Sequence, residues 1–521
     1  MLRTLVWLPW VASGTYMIGA LFAAAIPAQA WPAVTASTRV ALGAAITFCG
    51  VAPIFADGSL RGAGVAPIVC ILIAFLGWVI GAYSRRYLRG ERGQPRFAVS
   101  LLATLAAVSA VAVSTNLGFL IVAWAASSAG LHHLLTFYRE RPAAIIVAHK
   151  KFLTSRLAEG LLITAAILLY REWGTLDISA ITTHAQAGTP LPSTAGVAAV
   201  LISAAVLIKC AQIPLHGWLI QVMEAPTPVS ALLHAGVVNL GGYVLIRLAP
   251  LIGASPTAQT LLVGIGSLTA ATAGLVMLTR ITIKVRLAWS TCSQMGFMVM
   301  ECGLGLYDLA LLHLVAHALY KAHAFLTAGE AVRDGLVRQL IARIANDADR
   351  RTILRPLLAL LTAWIVATGS AVMWHKFFGL STIPWIATAL QAFGLATLLW
   401  QPARVPDPNW RGLLAVLAGA QVYLGWHWIL AERVGVTALP PNLFLAVWSL
   451  LVFIALYAAQ VLVTMRRPST SASSFYTWIY AGLYLDERFT RLTFRLWPVR
   501  AASSPVEGSA VQLLKQPGST A

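Results

Sequence analysis

Carboxylates are scarce in this chain. Asp and Glu number 18 against 37 Lys and Arg in 521 residues, and none falls between Glu91 and Glu140. Charged residues of both signs make up only 11% of the chain and hydrophobic ones 59%, with a mean hydropathy of +0.77. A soluble domain carries about a quarter charged residues, so this chain has too little polar surface to fold as a water-soluble globule. Cysteine is also rare. Cys49, Cys70, Cys210, Cys292 and Cys302 stand apart in apolar runs without a CxxC. That spacing excludes a disulfide framework and a zinc or iron–sulfur ligand set, and the five read as small buried residues. Nucleophile–base pairs, phosphate-binding loops and haem motifs are missing as well, so no covalent chemistry and no cofactor are expected in this chain. The formal net charge of +19 would point to nucleic acid only if it formed a face on a soluble domain. Here the basic residues lie between apolar runs, where they read as loops held on the cytoplasmic side.

Apolar runs are what the chain has in abundance, many of them reaching the roughly 20 residues that span the hydrocarbon core. The expected fold is all-α, a polytopic transmembrane bundle of about 13–15 helices, some of them broken. The opening run ends in Ala28-Gln29-Ala30, which resembles a cleavage site, yet it is longer than an ordinary signal segment and is read as a retained first helix. Basic stretches at 85–96 and 138–156, then 280–286 and 333–351, alternate with apolar segments so that all fall on one side. This scheme places the N-terminus outside and the C-terminus in the cytoplasm. Residues 475–498, FYTWIYAGLYLDERFTRLTFRLWP, form an amphipathic pattern expected to lie on the membrane surface or against a partner.

The stretch around which the other helices are organised is LIKCAQIPLHGWLIQVMEAPTPVSALLHAGVVNLGG, 207–242. Deep in apolar sequence it carries Lys209, Gln212, His216, Glu224 and His234, and Pro214 follows Lys209 closely. Proline removes a backbone donor and disrupts a helix, and a broken helix at membrane depth must line a cavity or be buried in protein. An ammonium there is either a proton-handling group with a nearby counter-charge or a lysine that snorkels to the interface. Further on, His313, His317 and Lys321 in ALLHLVAHALYKAHAFL recur at i, i+4, one turn apart on one helix face. Three titratable groups in register fit a proton relay better than three separate helix contacts.

These residues carry a family resemblance. Lys209-Cys210-Ala211-Gln212, Pro214-Leu215, Trp218-Leu219, Met223-Glu224, then Pro226 to Leu232 and His234-Ala235, resemble the signature of the antiporter-like proton-translocating superfamily. That superfamily includes membrane subunits of respiratory complex I and of the Mrp cation/proton antiporters. The wording HGWLIQVMEAPTPVSALLHAG is most similar to the DabB branch, the membrane half of the Dab inorganic-carbon pumps. The resemblance implies inverted repeats with broken helices. The expected divisions are 1–97 for N-terminal helices, 98–250 and 251–402 for two repeats, 403–466 for C-terminal helices and 467–521 for the amphipathic helix and tail.

The resemblance also implies roles. Lys284 would be the central-axis lysine, with an inward-snorkelling loop cation as the alternative. Glu159 would be the counter-charge of Lys209, unless it pairs only with Arg156 three residues away. Lys376, ahead of Gly379 and Pro384 in MWHKFFGLSTIP, would mark the second broken helix. One position departs from the pattern: complex I and Mrp members carry a glutamate after the tryptophan of the fifth helix, and here Trp124 is followed by Ala125. Glu159 alone, or Glu224 with it, would then serve Lys209.

The function implied is conduction of protons, or of sodium, through Lys209, Glu159, Glu224, His234, Lys284, His313, His317, Lys321 and Lys376. Catalysis would fall to a DabA-like peripheral zinc subunit converting CO2 to bicarbonate. The alternatives are a proton-pumping subunit of an NADH–quinone oxidoreductase, an Mrp-type Na+/H+ antiporter subunit, or a plain membrane anchor indifferent to loss of Lys209.

Overall fold

The computed structural model of the chain describes residues 7–52, 64–187, 190–330, 354–380, 383–400, 409–430, 441–465 and 477–497. The basic stretch expected at 333–351 and the tail beyond 497 lie outside them. Among the described residues every regular element is a helix. In chain order they are α1 Leu8–Ala25, α2 Ala30–Val51, α3 Ala66–Tyr87, α4 Gln94–Val113, α5 Leu117–Leu135, α6 Pro142–Trp173 and α7 Ser193–Lys209. Next come α8 Thr227–Arg247, α9 Pro256–Thr279, α10 Ile283–Gly303 and α11 Tyr307–Leu326. The series closes with α12 Leu354–Phe378, α13 Trp385–Trp400, α14 Asn409–Leu430, α15 Leu443–Met465 and α16 Leu485–Leu496. Twelve of the described helices are long and apolar enough to cross a membrane. The shorter apolar α7 and α13 and the more polar α10 fill the remaining expected crossings.

The chain breaks at Ile26–Gln29 and α2 starts at Ala30, because Pro27 can open a helical turn but not continue one. One difference from the sequence reading is large. The basic stretch 138–156 is not a loop: α6 begins at Pro142 and runs 32 residues, about 48 Å at 1.5 Å per residue. Lys150 and Lys151 are buried in it. Lys150 Nζ donates to Asp486 Oδ1 at 2.9 Å and to Gln221 Oε1 at 3.0 Å, and Lys151 Nζ donates to the Ser128 carbonyl at 2.8 Å. Those partners, remote in sequence, make a lysine pair tolerable inside a helix bundle.

Close backbone approach holds the centre together. A Cβ placed on Gly296 would lie 2.6 Å from the Gly266 carbonyl oxygen, and one on Gly266 would lie 2.7 Å from that of Gly296. This reciprocal small-residue contact fixes α9 against α10 where van der Waals packing, not water exclusion, drives association. Gly296→Leu should therefore abolish accumulation of monodisperse, detergent-extracted protein. Gly264→Leu, at a glycine with open space around it, should leave it intact, as size-exclusion profiles would record. At the end of α8, Arg247 donates to the carbonyls of Ala112 at 3.4 Å and Ser114 at 3.1 Å, supplying the cation that the carbonyl end of α4 favours.

Candidate ion-translocation site

The helix break after Lys209 is built as the sequence predicts. α7 stops at Lys209, Ala211 takes φ +54, and a short turn of helix resumes only at Gly217–Ile220. The freed backbone groups find partners inside the protein: Ile213 N–H donates to Thr269 Oγ1 at 3.2 Å, Cys292 Sγ–H donates to the Ala211 carbonyl at 3.3 Å, and Gln212 Nε2 donates to the Cys210 carbonyl at 2.8 Å. A break satisfied in this way can persist at membrane depth.

Lys209 projects from the end of α7 into a buried cluster. Its Nζ donates to Glu159 Oε1 at 3.2 Å and to Ser128 Oγ at 3.4 Å, and it lies 4.7 Å from the centre of the Trp124 ring. Glu159 Oε2 meets Arg156 Nη2 at 2.7 Å. Both readings of Glu159 are therefore realised at once, one carboxylate serving two cations. Ser128 also links the two lysines of the cluster, since its carbonyl accepts from Lys151 while its hydroxyl accepts from Lys209. At the position of the missing fifth-helix acid, the face of Trp124 lies against the ammonium and supplies cation–π attraction where the family places a charge. Glu224 is not part of this cluster. It stands 44% exposed with Arg141 at 3.6 Å, because the segment 221–224 turns the chain toward the surface before α8 begins.

A second polar line runs along α11. His313, His317 and Lys321 share one face as their spacing requires, with the rings of His313 and His317 centred 6.0 Å apart. His313 Nδ1 lies 3.1 Å from Glu301 Oε2, and His317 Nδ1 lies 3.1 Å from Asn239 Oδ1. Lys321 Nζ donates to Ser290 Oγ at 2.7 Å. His234 of α8 is fully buried, stacks on Phe325 of α11 with ring centres 4.5 Å apart, and has no hydrogen-bond partner on either ring nitrogen. Lys284 is half-buried at the start of α10 and donates to Thr227 Oγ1 at 2.8 Å, joining the first turns of α10 and α8. Lys376 is not brought to this line. It is exposed in the last turn of α12, which runs unbroken to Phe378; Gly379, whose φ is +64, opens the connection to α13, so no break within a helix is seen at Lys376.

The C-terminal amphipathic segment docks on the chain itself. Asp486, in the first turn of α16, accepts from Lys150 and from Gln221 Nε2 at 2.5 Å, and Trp497 stacks on His149 with ring centres 3.9 Å apart. Gly217 lets the carboxylate in, since a Cβ there would sit 1.4 Å from Asp486 Oδ1.

Sequence reasoning missed Lys150, Lys151, Asp486, Glu301 and Asp308. For Glu301 a signal exists: it is an isolated carboxylate in GFMVMECGLGLYD, just before the tight turn that folds α10 back on α11, and His313 lies just after it.

A many-helix bundle with a broken helix, a buried lysine–carboxylate pair and an imidazole–ammonium line defines a membrane subunit of the ion-translocating, antiporter type. The model of the NADH:quinone oxidoreductase/Mrp antiporter transmembrane family matches residues 114–398. The chain is 39% identical over 442 residues to a protein of Hydrogenovibrio crunogenus named as inorganic carbon transporter subunit DabB, covering 82% of each chain. To DabB2 of Halothiobacillus neapolitanus it is 39% identical over 467 residues, covering 87% of this chain and 83% of the other. NADH-quinone oxidoreductase subunit L of Mycobacterium tuberculosis is 34% identical over 267 residues, covering 50% of this chain and 42% of that one. The chain thus belongs to the NADH:quinone oxidoreductase/Mrp antiporter membrane family, in its DabB inorganic carbon transporter branch. Among solved structures, the Mrp complex from Dietzia sp. DQ12-45-1b superimposes with a TM-score of 0.55 at 21% identity, over 98% of this chain and 59% of that one, a likeness of fold.

Proposed function

We propose that this chain conducts protons down their electrochemical gradient as the membrane subunit of an energy-coupled inorganic carbon uptake complex in a bacterial inner membrane, its C-terminus in the cytoplasm. The observation that carries the reading is the buried Lys209–Glu159 pair at the helix break. A lysine ammonium and a carboxylate exchange protons, and ionisable groups buried within membrane helices characteristically mark an ion path. The proton is favoured over sodium because the inner path is made mainly of ammonium and imidazole groups, which relay protons and offer few of the oxygen ligands that a hard cation needs. The driving force is about 2.3 kcal/mol per charge per 100 mV.

In this reading Lys209, Glu159, His234, Lys284, His313, His317 and Lys321 form the inner path. Lys376 and Glu224, at surfaces of this chain, take peripheral parts, and Lys376→Ala is expected to change transport much less than substitutions on the inner path. The hydration of CO2 to bicarbonate is assigned to a DabA-like peripheral subunit holding zinc, with this chain itself non-catalytic. Co-expression of the two subunits in a carbonic-anhydrase-deficient host should restore growth at ambient CO2. A protonophore should remove that rescue and sodium depletion should not. Rescue that survives the protonophore would overturn the reading, and rescue lost only on sodium depletion would reassign the ion.

A further inference from the structure

Six helices pack in a closed ring, α9 on α10, α10 on α11, α11 on α14, α14 on α13, α13 on α15 and α15 back on α9. The ring lines an open-mouthed hollow of about 530 Å³. Its wall is mostly apolar, with Glu301, His313, Ser293, Gln294, Gln391 and Tyr423 among the polar residues that line it. At about 30 Å³ per molecule such a space has room for a column of water, and these groups offer it hydrogen-bond partners. Glu301 is fully buried from bulk solvent. One of its oxygens, Oε2, faces His313 Nδ1 at 3.1 Å, while Oε1 has no hydrogen-bond partner. A second carboxylate–imidazole pair, Asp308 with His427 Nδ1, stands beside it, and the His427 ring stacks on the hollow-lining Tyr423. A buried carboxylate with an unmet acceptor costs free energy unless water or a cation reaches it.

We infer that this hollow is a water-filled vestibule through which protons enter, and that Glu301 is the group that takes them up. The inference rests on the proton-conducting reading above. Oε1 is buried as placed, so the step begins with a side-chain rotation that swings the carboxylate into the vestibule, where hydronium gives it a proton and leaves as water. The return swing presents that proton to His313 Nδ1, restoring the carboxylate. The imidazolium so formed releases a proton from Nε2 toward His317 and Lys321. Asp308 and His427, with Tyr423, hold a second titratable pair at the same end, and no other charged side chain lines the hollow among the described residues. The entry face follows from the fold. The C-terminal segment touches the other end of α10, where Gly482 packs on Trp289. Glu301 lies about 18 Å further along that helix at 1.5 Å per residue. Protons therefore enter from the face opposite the docked C-terminal helix.

The test uses the full complex in cells and in reconstituted vesicles. Glu301→Gln should reduce proton flux and growth rescue at least tenfold with complex abundance unchanged, and Glu301→Asp should recover part of both. A cysteine at Gln391, which lines the hollow, should react with a charged, membrane-impermeant thiol reagent from the face opposite the C-terminus, against the parent chain as background. Absence of labelling, labelling only from the C-terminal face, or full flux in Glu301→Gln would overturn the vestibule. Lys209→Ala run in parallel separates the two claims. If it abolishes flux while Glu301→Gln does not, only the vestibule fails. If it too leaves flux intact, the conduction reading fails with it.

Discussion

Lys209→Ala is expected to abolish growth rescue at ambient CO2 while leaving the complex assembled, and Glu159→Gln to lower proton flux about 100-fold or more. The first removes the ammonium that exchanges protons with Glu159 at the helix break. The second leaves the Lys209 ammonium without a counter-charge, facing a neutral amide, a hydroxyl at 3.4 Å and an indole face at 4.7 Å. Breaking a buried pair by deleting one partner costs about 3–5 kcal/mol. At about 1.4 kcal/mol per tenfold, that removes roughly two to three and a half decades from the population of the charged state. Arg156→Ala should behave differently although it touches the same carboxylate. Its side chain is 44% exposed, and exposed ion pairs contribute about 1 kcal/mol or less, so flux should stay within about threefold of the parent. Flux assays on reconstituted vesicles distinguish these outcomes. A Glu159→Gln complex with parental flux would show that Arg156 alone had claimed the carboxylate.

The second large effect is structural. Asp486→Ala should lower the thermal stability of the detergent-purified complex markedly, by the roughly 3–5 kcal/mol that an uncompensated buried charge costs. Lys150 is fully buried, and its charged partner is a carboxylate 336 residues away on the C-terminal helix. The pair also places a negative charge in the first turn of α16, where a helix N-terminus favours it. Lys150→Met combined with Asp486→Leu should recover most of the loss, because exchanging both partners for apolar groups removes the unpaired charge. Gly217→Ala should resemble Asp486→Ala, since its new Cβ would occupy the position of the carboxylate. Melting curves for the three variants form the check. Unchanged melting in Asp486→Ala would mean that Trp497 on His149 and the apolar face of α16 hold the segment without the ion pair.

The sequence alone determined what short-range pattern and composition can determine. Apolar runs of bilayer length set the bundle and nearly all of its crossings, Pro214 set the break after Lys209, and the i, i+4 repeat set the common face of His313, His317 and Lys321. Each depends on residues within a few turns of one another. Only the tertiary structure decided which side chains meet across helices. It divided Glu159 between Lys209 and Arg156, drew Lys150 and Lys151 out of an expected loop into α6, set Glu301 against His313, and folded Asp486 back onto Lys150. The physical reason is one of range. A buried charge is tolerated only where a partner faces it, and the partner is chosen by helix packing, which periodicity along one segment does not encode.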